Sequence, residues 1–242
     1  MESIVILLTG TIKVKDVPHL SLTDTFLRER EYCKSIEKWI KLGYPIIFCE
    51  NSNYDSKIIN EVIDKCSPKQ FEYMKFTSSA SQLGKGHGEA EIIDYVFKNS
   101  RLVNDHSIIC KVTGKNYLLN AASIFKKILQ SAASKNLVIA ILMKNLTMAD
   151  SRFFFFKKEF YVKYWQKYIG EVNEANKIYI EHTLAKSIHI AIAEGEKWSL
   201  LPELPLFVGL IGTNGKNYKN KFSATLLNNF YYSIIKKWAG NH

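Results

Sequence analysis

The chain has 242 residues, 47% of them hydrophobic, and 33 Lys and Arg against 23 Asp and Glu give it a formal charge of +10. This length can bury a sizeable core in one large α/β domain or two small ones, and one domain over 1–242 is expected. No apolar stretch approaches the roughly 20 residues of a membrane-spanning helix, so a chain integral to a membrane is not expected.

In chain order, the opening Met1–Leu8 has neither a basic leader nor a small-residue cleavage site, and Ile4–Leu8 reads as a first strand of a cytoplasmic protein. Leu22–Leu42 carries Phe26, Tyr32, Cys33, Ile36, Trp39 and Ile40 at helical spacing, with Gly43 as its stop. Pro45–Cys49 is a short strand, Ser56–Cys66 a helix and Glu72–Phe76 a strand. Gly88–Asn99 is a helix entered through a glycine-rich turn, and Ser107–Val112 is a strand. Ala121–Ser131 is helical, while Leu137–Met143 and Phe153–Phe156 are apolar runs suited to buried strands. Helices follow from Glu159 to Tyr168 and from Ile180 to Ala193. Prolines and glycines then break Leu201–Tyr218 into loop and short strand before a last helix at about 223–238. Apolar runs alternating with helical segments predict an α/β fold with a mostly parallel central sheet flanked by helices.

The four cysteines, Cys33, Cys49, Cys66 and Cys110, have neither metal-ligand spacing nor the density of a disulfide scaffold, and free thiols are expected. The positive charge suits nucleic acid, an anionic membrane surface or a phosphorylated substrate, and does not choose among them.

Ligands of open α/β sheets sit beyond the carboxyl ends of the strands. The first such end is Thr9-Gly10-Thr11-Ile12 and the second is Glu50-Asn51-Ser52, where Glu50 or Asn51 would meet a ribose or base. The spacing fits ordinary loop-starting residues equally well. In Gly84-Lys85-Gly86-His87-Gly88-Glu89, glycines permit close backbone approach, Lys85 can neutralise phosphate and a helix start offers free amides. The Gly-Lys-Ser/Thr ending of a Walker loop is absent. Lys111-Val112-Thr113-Gly114-Lys115 places two cations and a hydroxyl where a sheet presents them to a diphosphate. Asp150 and Arg152 can reach the cleft from the loop before the aromatic run, or pair with each other. Glu181, at a helix start beside His182, is a candidate base for an acceptor hydroxyl.

Taken in order, these segments resemble bacterial glycosyltransferases of the GT-A type, in particular the small enzymes that build O-antigen or capsular polysaccharide. The resemblance covers roughly residues 3–185, and its order carries more weight than any single motif. In that superfamily an Asp-x-Asp motif typically holds a divalent metal against the nucleotide diphosphate. The corresponding place here is occupied by Lys111–Lys115. The resemblance therefore implies metal-independent, inverting transfer with no cofactor, from a UDP or dTDP sugar to a glycan or lipid-linked saccharide. Thr9, Gly10, Thr11, Glu50, Asn51, Lys85, Gly86, Lys111, Thr113, Gly114 and Lys115 would hold the nucleotide and diphosphate. Glu89, Asn120, Arg152 and His182 would meet sugar or acceptor, and Glu181 or Asp150 would be the base.

The last helix interleaves Phe230, Tyr231, Ile234, Ile235 and Trp238 with Lys236 and Lys237, which suits either packing on the domain or contact with an anionic membrane at its cytoplasmic face. Two rival readings stand beside the transferase. One is a nucleic-acid-binding protein that uses its basic and aromatic residues, although these are scattered and no nucleic-acid signature is present. The other is a catalytically silent nucleotide-sugar-binding module.

Overall fold

The computed structural model describes residues 3–14, 22–79 and 83–209, together with Tyr218, Tyr232 and Ile234. The sheet elements are β1 (Ile4–Gly10), β2 (Ile46–Glu50), β3 (Phe71–Lys75), β4 (Ile108–Thr113), β6 (Val138–Ile139), β9 (Phe153–Lys157) and β10 (Trp198–Ser199). They form one seven-stranded sheet in the order β10-β6-β9-β4-β1-β2-β3. The β1–β2, β2–β3, β1–β4 and β6–β10 pairs are parallel, and β9 runs antiparallel to both of its neighbours. The expected α/β class with a mostly parallel sheet is thus what the chain adopts. Two-stranded pairs are added by β5 (Tyr117–Leu118) with β11 (Phe207–Val208), and by β7 (Leu142–Met143) with β8 (Met148–Ala149).

Strand β1 is buried along its whole length because both faces of the sheet are covered. Its alternate residues supply two cores. Val5 and Leu7 pack with Ile92, Ile93 and Val96 of α3 (Lys85–Asn99) and with Leu184 and Ile188 of α8 (Ile180–Ala193). Ile4, Ile6 and Leu8 pack with Tyr32, Ile36 and Trp39 of α1 (Thr25–Ile40) and with Ile124, Phe125 and Ile128 of α5 (Ala121–Gln130). Each such side chain withdrawn from water contributes about 1.5–3 kcal/mol before conformational entropy is charged against it.

Helix α1 starts where the Asp24 carboxylate accepts the Leu27 amide at 2.7 Å, and it is followed by Gly43 at φ 76°, a backbone state that glycine enters without strain. Phe26, expected on its apolar stripe, is 63% exposed. Helix α2 (Lys57–Ile63) is capped by Ser56, and α4 (Arg101–Asp105) follows α3.

Three expectations are corrected. The helix read as Gly88–Asn99 begins at Lys85, because Gly84 is its cap and the first glycines lie inside its first turn. The apolar run Leu137–Met143 is two short strands, β6 and β7, which belong to different sheets. The helix expected over Glu159–Tyr168 is α6 (Lys158–Phe160), a π turn (Tyr161–Trp165) and α7 (Gln166–Ile169). The last helix lies outside the described residues apart from Tyr232 and Ile234, both helical; Tyr232 is buried and its hydroxyl donates to the Leu201 carbonyl at 2.8 Å.

Candidate active site

A cleft of about 750 Å³ opens beyond the carboxyl ends of β1, β2 and β4, lined also by the first turns of α3 and α8 and by the β7–β8 hairpin, which packs on α8. Its volume lies in the range of small-molecule sites.

The floor is built by bonds between the strand ends and α1. Arg28 Nε donates to the Thr11 carbonyl at 2.8 Å, Nη1 to the Leu22 carbonyl at 2.9 Å, and the Thr11 amide donates to the Tyr32 hydroxyl at 3.0 Å. Thr11 Oγ1 donates to Asn51 Oδ1 at 2.6 Å, and Asn51 Nδ2 donates to the Gly88 carbonyl at 3.2 Å, tying β1, β2 and α3 together. Gly114 donates its amide to the Thr9 carbonyl at 2.8 Å, where a Cβ would come within 2.6 Å of that oxygen; only glycine lets the two strand ends meet so closely.

Six cationic side chains, Lys13, Arg28, Lys85, Lys115, Lys144 and Arg152, line the cleft together with three carboxylates, Glu89, Glu174 and Glu181. Two of those carboxylates are already engaged. Glu89 Oε1 takes the Lys111 ammonium at 2.5 Å and the Thr9 hydroxyl at 2.7 Å. Glu174 Oε1 accepts the Gly86 amide at 2.7 Å, which caps the positive end of α3.

Lys115 is different from these. It is 8% exposed, its ammonium has no hydrogen-bond or ion-pair partner among the described residues, and burial with the nearby Arg28 and Lys85 charges lowers its pKa to about 8. Arg28 is 4% exposed and is satisfied by carbonyl and phenol oxygens alone. The floor thus holds buried positive charge with no ion-pair partner among the described residues, acted on from further off by the Glu89 and Glu31 charges, and an anionic ligand would add a direct partner.

Glu181, which lines the same cleft, stands in the first turn of α8 and accepts the Ser151 hydroxyl at 2.8 Å. Burial raises its pKa, against the lowering effects of its own backbone amide, the Ser151 hydroxyl and the Lys111 charge.

Of the residues expected from the sequence, Thr9, Gly10, Thr11, Asn51, Lys85, Gly86, Glu89, Thr113, Lys115, Arg152 and Glu181 meet at this cleft. Lys111, Glu50, Gly114, Asn120, Asp150 and His182 do not line it. Lys111 is fully buried and its ammonium is spent on Glu89 and on the Ser151 carbonyl at 2.5 Å, so it is not free to touch a diphosphate. Glu50 folds back to accept the Ser52 and Tyr54 amides at 3.0 and 2.7 Å, which shapes the loop after β2. Asn120 bridges to the Leu204 carbonyl and the Leu206 amide at 2.8 and 2.9 Å. His182 Nδ1 accepts the Tyr179 amide at 3.2 Å and so caps α8.

Asp150 is buried in a two-point pair with Arg152, with Nε–Oδ1 2.8 Å and Nη2–Oδ2 2.6 Å, and that pairing keeps its carboxylate off the cleft wall. The guanidinium so held lies 4.5 Å from the Phe207 ring centroid. Arg28, Lys13, Ser151, Lys144 and Glu174 complete the site without having been singled out as site residues from the sequence. Arg28 carried a readable signal, since it stands four residues before Tyr32 on the buried stripe of α1. Glu174 starts a short 3₁₀ turn (Glu174–Asn176) and Lys144 lies at a hairpin tip, neither within a motif. Among the described residues, no group of three His, Cys, Asp or Glu side chains is placed to hold a metal ion, and no helix is long and apolar enough to cross a membrane.

No family model and no curated protein matches the chain in sequence. Among solved structures, a 4-diphosphocytidyl-2C-methyl-D-erythritol synthase from Anaerococcus prevotii is similar at TM-score 0.50 and 12% identity, over 96% of this chain and 99% of that one. A nucleoside-diphosphate-sugar pyrophosphorylase from Vibrio cholerae aligns at TM-score 0.49 and 12% identity over 81% of this chain and 91% of that one. A nucleotide-diphospho-sugar transferase from Desulfovibrio desulfuricans aligns at 0.48 and 9% over 83% and 80%. The first of these likenesses is one of fold, consistent with the GT-A-like architecture expected from the motifs.

Proposed function

We propose that the chain transfers a glycosyl group from a nucleoside diphosphate sugar of the UDP or dTDP type to a saccharide hydroxyl, by a single inverting displacement. The observation that carries this reading is the meeting of unlike groups in one cleft: Lys115 and Arg28, which have no carboxylate partner among the described residues, and the carboxylate of Glu181. A diphosphate supplies the charge that the floor lacks.

In the reaction, an acceptor oxygen attacks the anomeric carbon while its proton passes to Glu181. The bond from that carbon to the diphosphate oxygen breaks, and its electron pair leaves on the nucleoside diphosphate. Lys115, Arg28 and Lys85 stabilise the departing charge, the task that a divalent ion performs in many such enzymes. A divalent ion at this floor would meet the like charge of Lys115, Arg28 and Lys85, and this supports the metal-independent reading. The acceptor in this proposal is a glycan or a lipid-linked saccharide of surface polysaccharide at the cytoplasmic membrane.

Nucleotidyl transfer is the nearest competing chemistry. There the nucleophile is an already ionised phosphate, which has no proton to lose and needs no carboxylate base. The direct test is incubation of UDP and dTDP sugars with saccharide acceptors in EDTA. Release of nucleoside diphosphate, lost in Glu181→Gln, supports glycosyl transfer; formation of pyrophosphate from a nucleoside triphosphate and a sugar 1-phosphate would replace it with nucleotidyl transfer.

A further inference from the structure

A run of four side chains crosses the cleft floor to the carboxylate of Glu181. Thr9 Oγ1 donates to Glu89 Oε1 at 2.7 Å, and the same oxygen takes the Lys111 ammonium at 2.5 Å. Lys111 Nζ also donates to the Ser151 carbonyl at 2.5 Å, and the Ser151 hydroxyl donates to Glu181 Oε1 at 2.8 Å. Lys111 is wholly buried and Ser151 is 3% exposed, so water does not compete for these bonds. The run spans four separate elements, β1, α3, β4 and the turn before β9, and ends on the first turn of α8. Packing alone does not call for an ammonium at Lys111. Its neighbours in β4, Cys110 and Val112, are buried without one, and burying a lysine is costly unless its bonds do something a methylene chain does not.

We propose that Lys111 and Ser151 are positioning residues that aim the Glu181 carboxylate into the cleft. This rests on the reading of Glu181 as the base. Lys111 pins the Ser151 carbonyl, which fixes the backbone from which the Ser151 hydroxyl reaches Glu181. The hydroxyl then occupies one carboxylate oxygen and leaves the other for the acceptor proton. The charged groups that bear on Glu181 are Lys111 from β4 and Glu89 from α3, with Lys144 of the β7–β8 hairpin and Arg152 of the turn before β9 lining the same cleft. The Lys111 charge and the Ser151 hydroxyl favour the carboxylate, while burial and the Glu89 charge oppose it.

Three variants test the pair: Ser151→Ala, Ser151→Thr and Lys111→Met. With the transferase active, Ser151→Ala is expected to lower kcat/KM about tenfold at pH 5 and about twofold or less on the alkaline plateau, so that the acid limb of the profile moves to higher pH. Nucleoside diphosphate affinity should stay at the wild-type level, and Ser151→Thr should restore the limb. A uniform loss at every pH, or a profile that superimposes on the wild type, overturns the proposal. Should Lys111→Met fail to fold, the serine variants decide the matter alone. A second readout is independent of turnover. In protein labelled with ¹³C at the glutamate side-chain carboxyls, the resonance missing from Glu181→Gln should titrate at higher pH in Ser151→Ala than in the wild type. That shift in a protein with no transfer activity would leave the positioning intact and remove the transferase reading, whereas an unshifted resonance in an active protein would do the reverse.

Discussion

Lys115 and Arg28 share the cleft floor, 8% and 4% exposed, and among the described residues neither has a carboxylate within ion-pairing distance. Two buried cations beside each other raise the energy of the empty protein, which sets an expectation for its stability. With a pKa of about 8 when folded against an ordinary 10.5, Lys115 binds its proton less tightly in the native state. Below pH 8 the full cost is present, and it is relieved as pH rises from about 8 towards 10.5. Lys115→Met is therefore expected to stabilise the empty protein at neutral pH by about 1–3 kcal/mol, a rise of several degrees in Tm, with the gain shrinking at higher pH. Thermal unfolding of both proteins across that range checks it; an equal or lower Tm for the variant contradicts it.

The same lysine gives ligand binding a pH dependence of the opposite sense. An anion favours the charged ammonium, so affinity for a nucleoside diphosphate should fall as pH rises through about 8, and binding near that pH should take up a proton. Titration calorimetry in buffers of different ionisation enthalpy measures the uptake. Lys115→Arg, which stays charged, should bind without the decline.

Glu181 accepts the Ser151 hydroxyl at 2.8 Å from a half-buried position. Replacing it with glutamine keeps the shape and removes the proton acceptor, so turnover should drop by about 10²–10⁴ while donor affinity changes little. Parallel loss of binding and turnover would make Glu181 a binding group instead.

Glu174 fills the space above the glycine-rich first turn of α3. A Cβ on Gly84 would meet its carboxylate at 2.5 Å, and Gly84 sits at φ 105°. Gly84→Ala should therefore cost more than about 1 kcal/mol, from strain and from displacement of the cap together. Glu174→Ala should cost about 1 kcal/mol by leaving the Gly86 amide without its acceptor. Chemical denaturation of both variants reads these losses directly.

The architecture was legible wherever one residue pattern had one structural use. Ile180–Ala193 is helical over its expected span, and the β1, β2 and β4 strands extend the apolar runs by one or two residues into the polar ends that form the cleft. The start of α3 was not legible, because Gly84, Gly86 and Gly88 signal a turn. In the fold they are glycines for lack of room, facing Glu174 and Asn51 from within or beside a helix.

At the site, strand ends located the cleft, yet side-chain direction depended on partners distant in sequence. Lys111 and Lys115 look equivalent in the motif. Glu89 and Ser151 draw the first inward, while no described partner claims the second. Asp150 is the sequence's alternative to Glu181 as the base, and its two-point pair with Arg152 depends on a geometry that the motif does not display.

The most direct measurement is calorimetric titration of UDP and dTDP into the purified protein and into Lys115→Ala, first in EDTA and then with Mn²⁺. The account predicts binding in EDTA, little change on adding the metal, and a loss of at least about tenfold in the variant. Binding that requires Mn²⁺, or is equally strong without the Lys115 ammonium, would contradict the claim that this cationic floor holds the donor diphosphate.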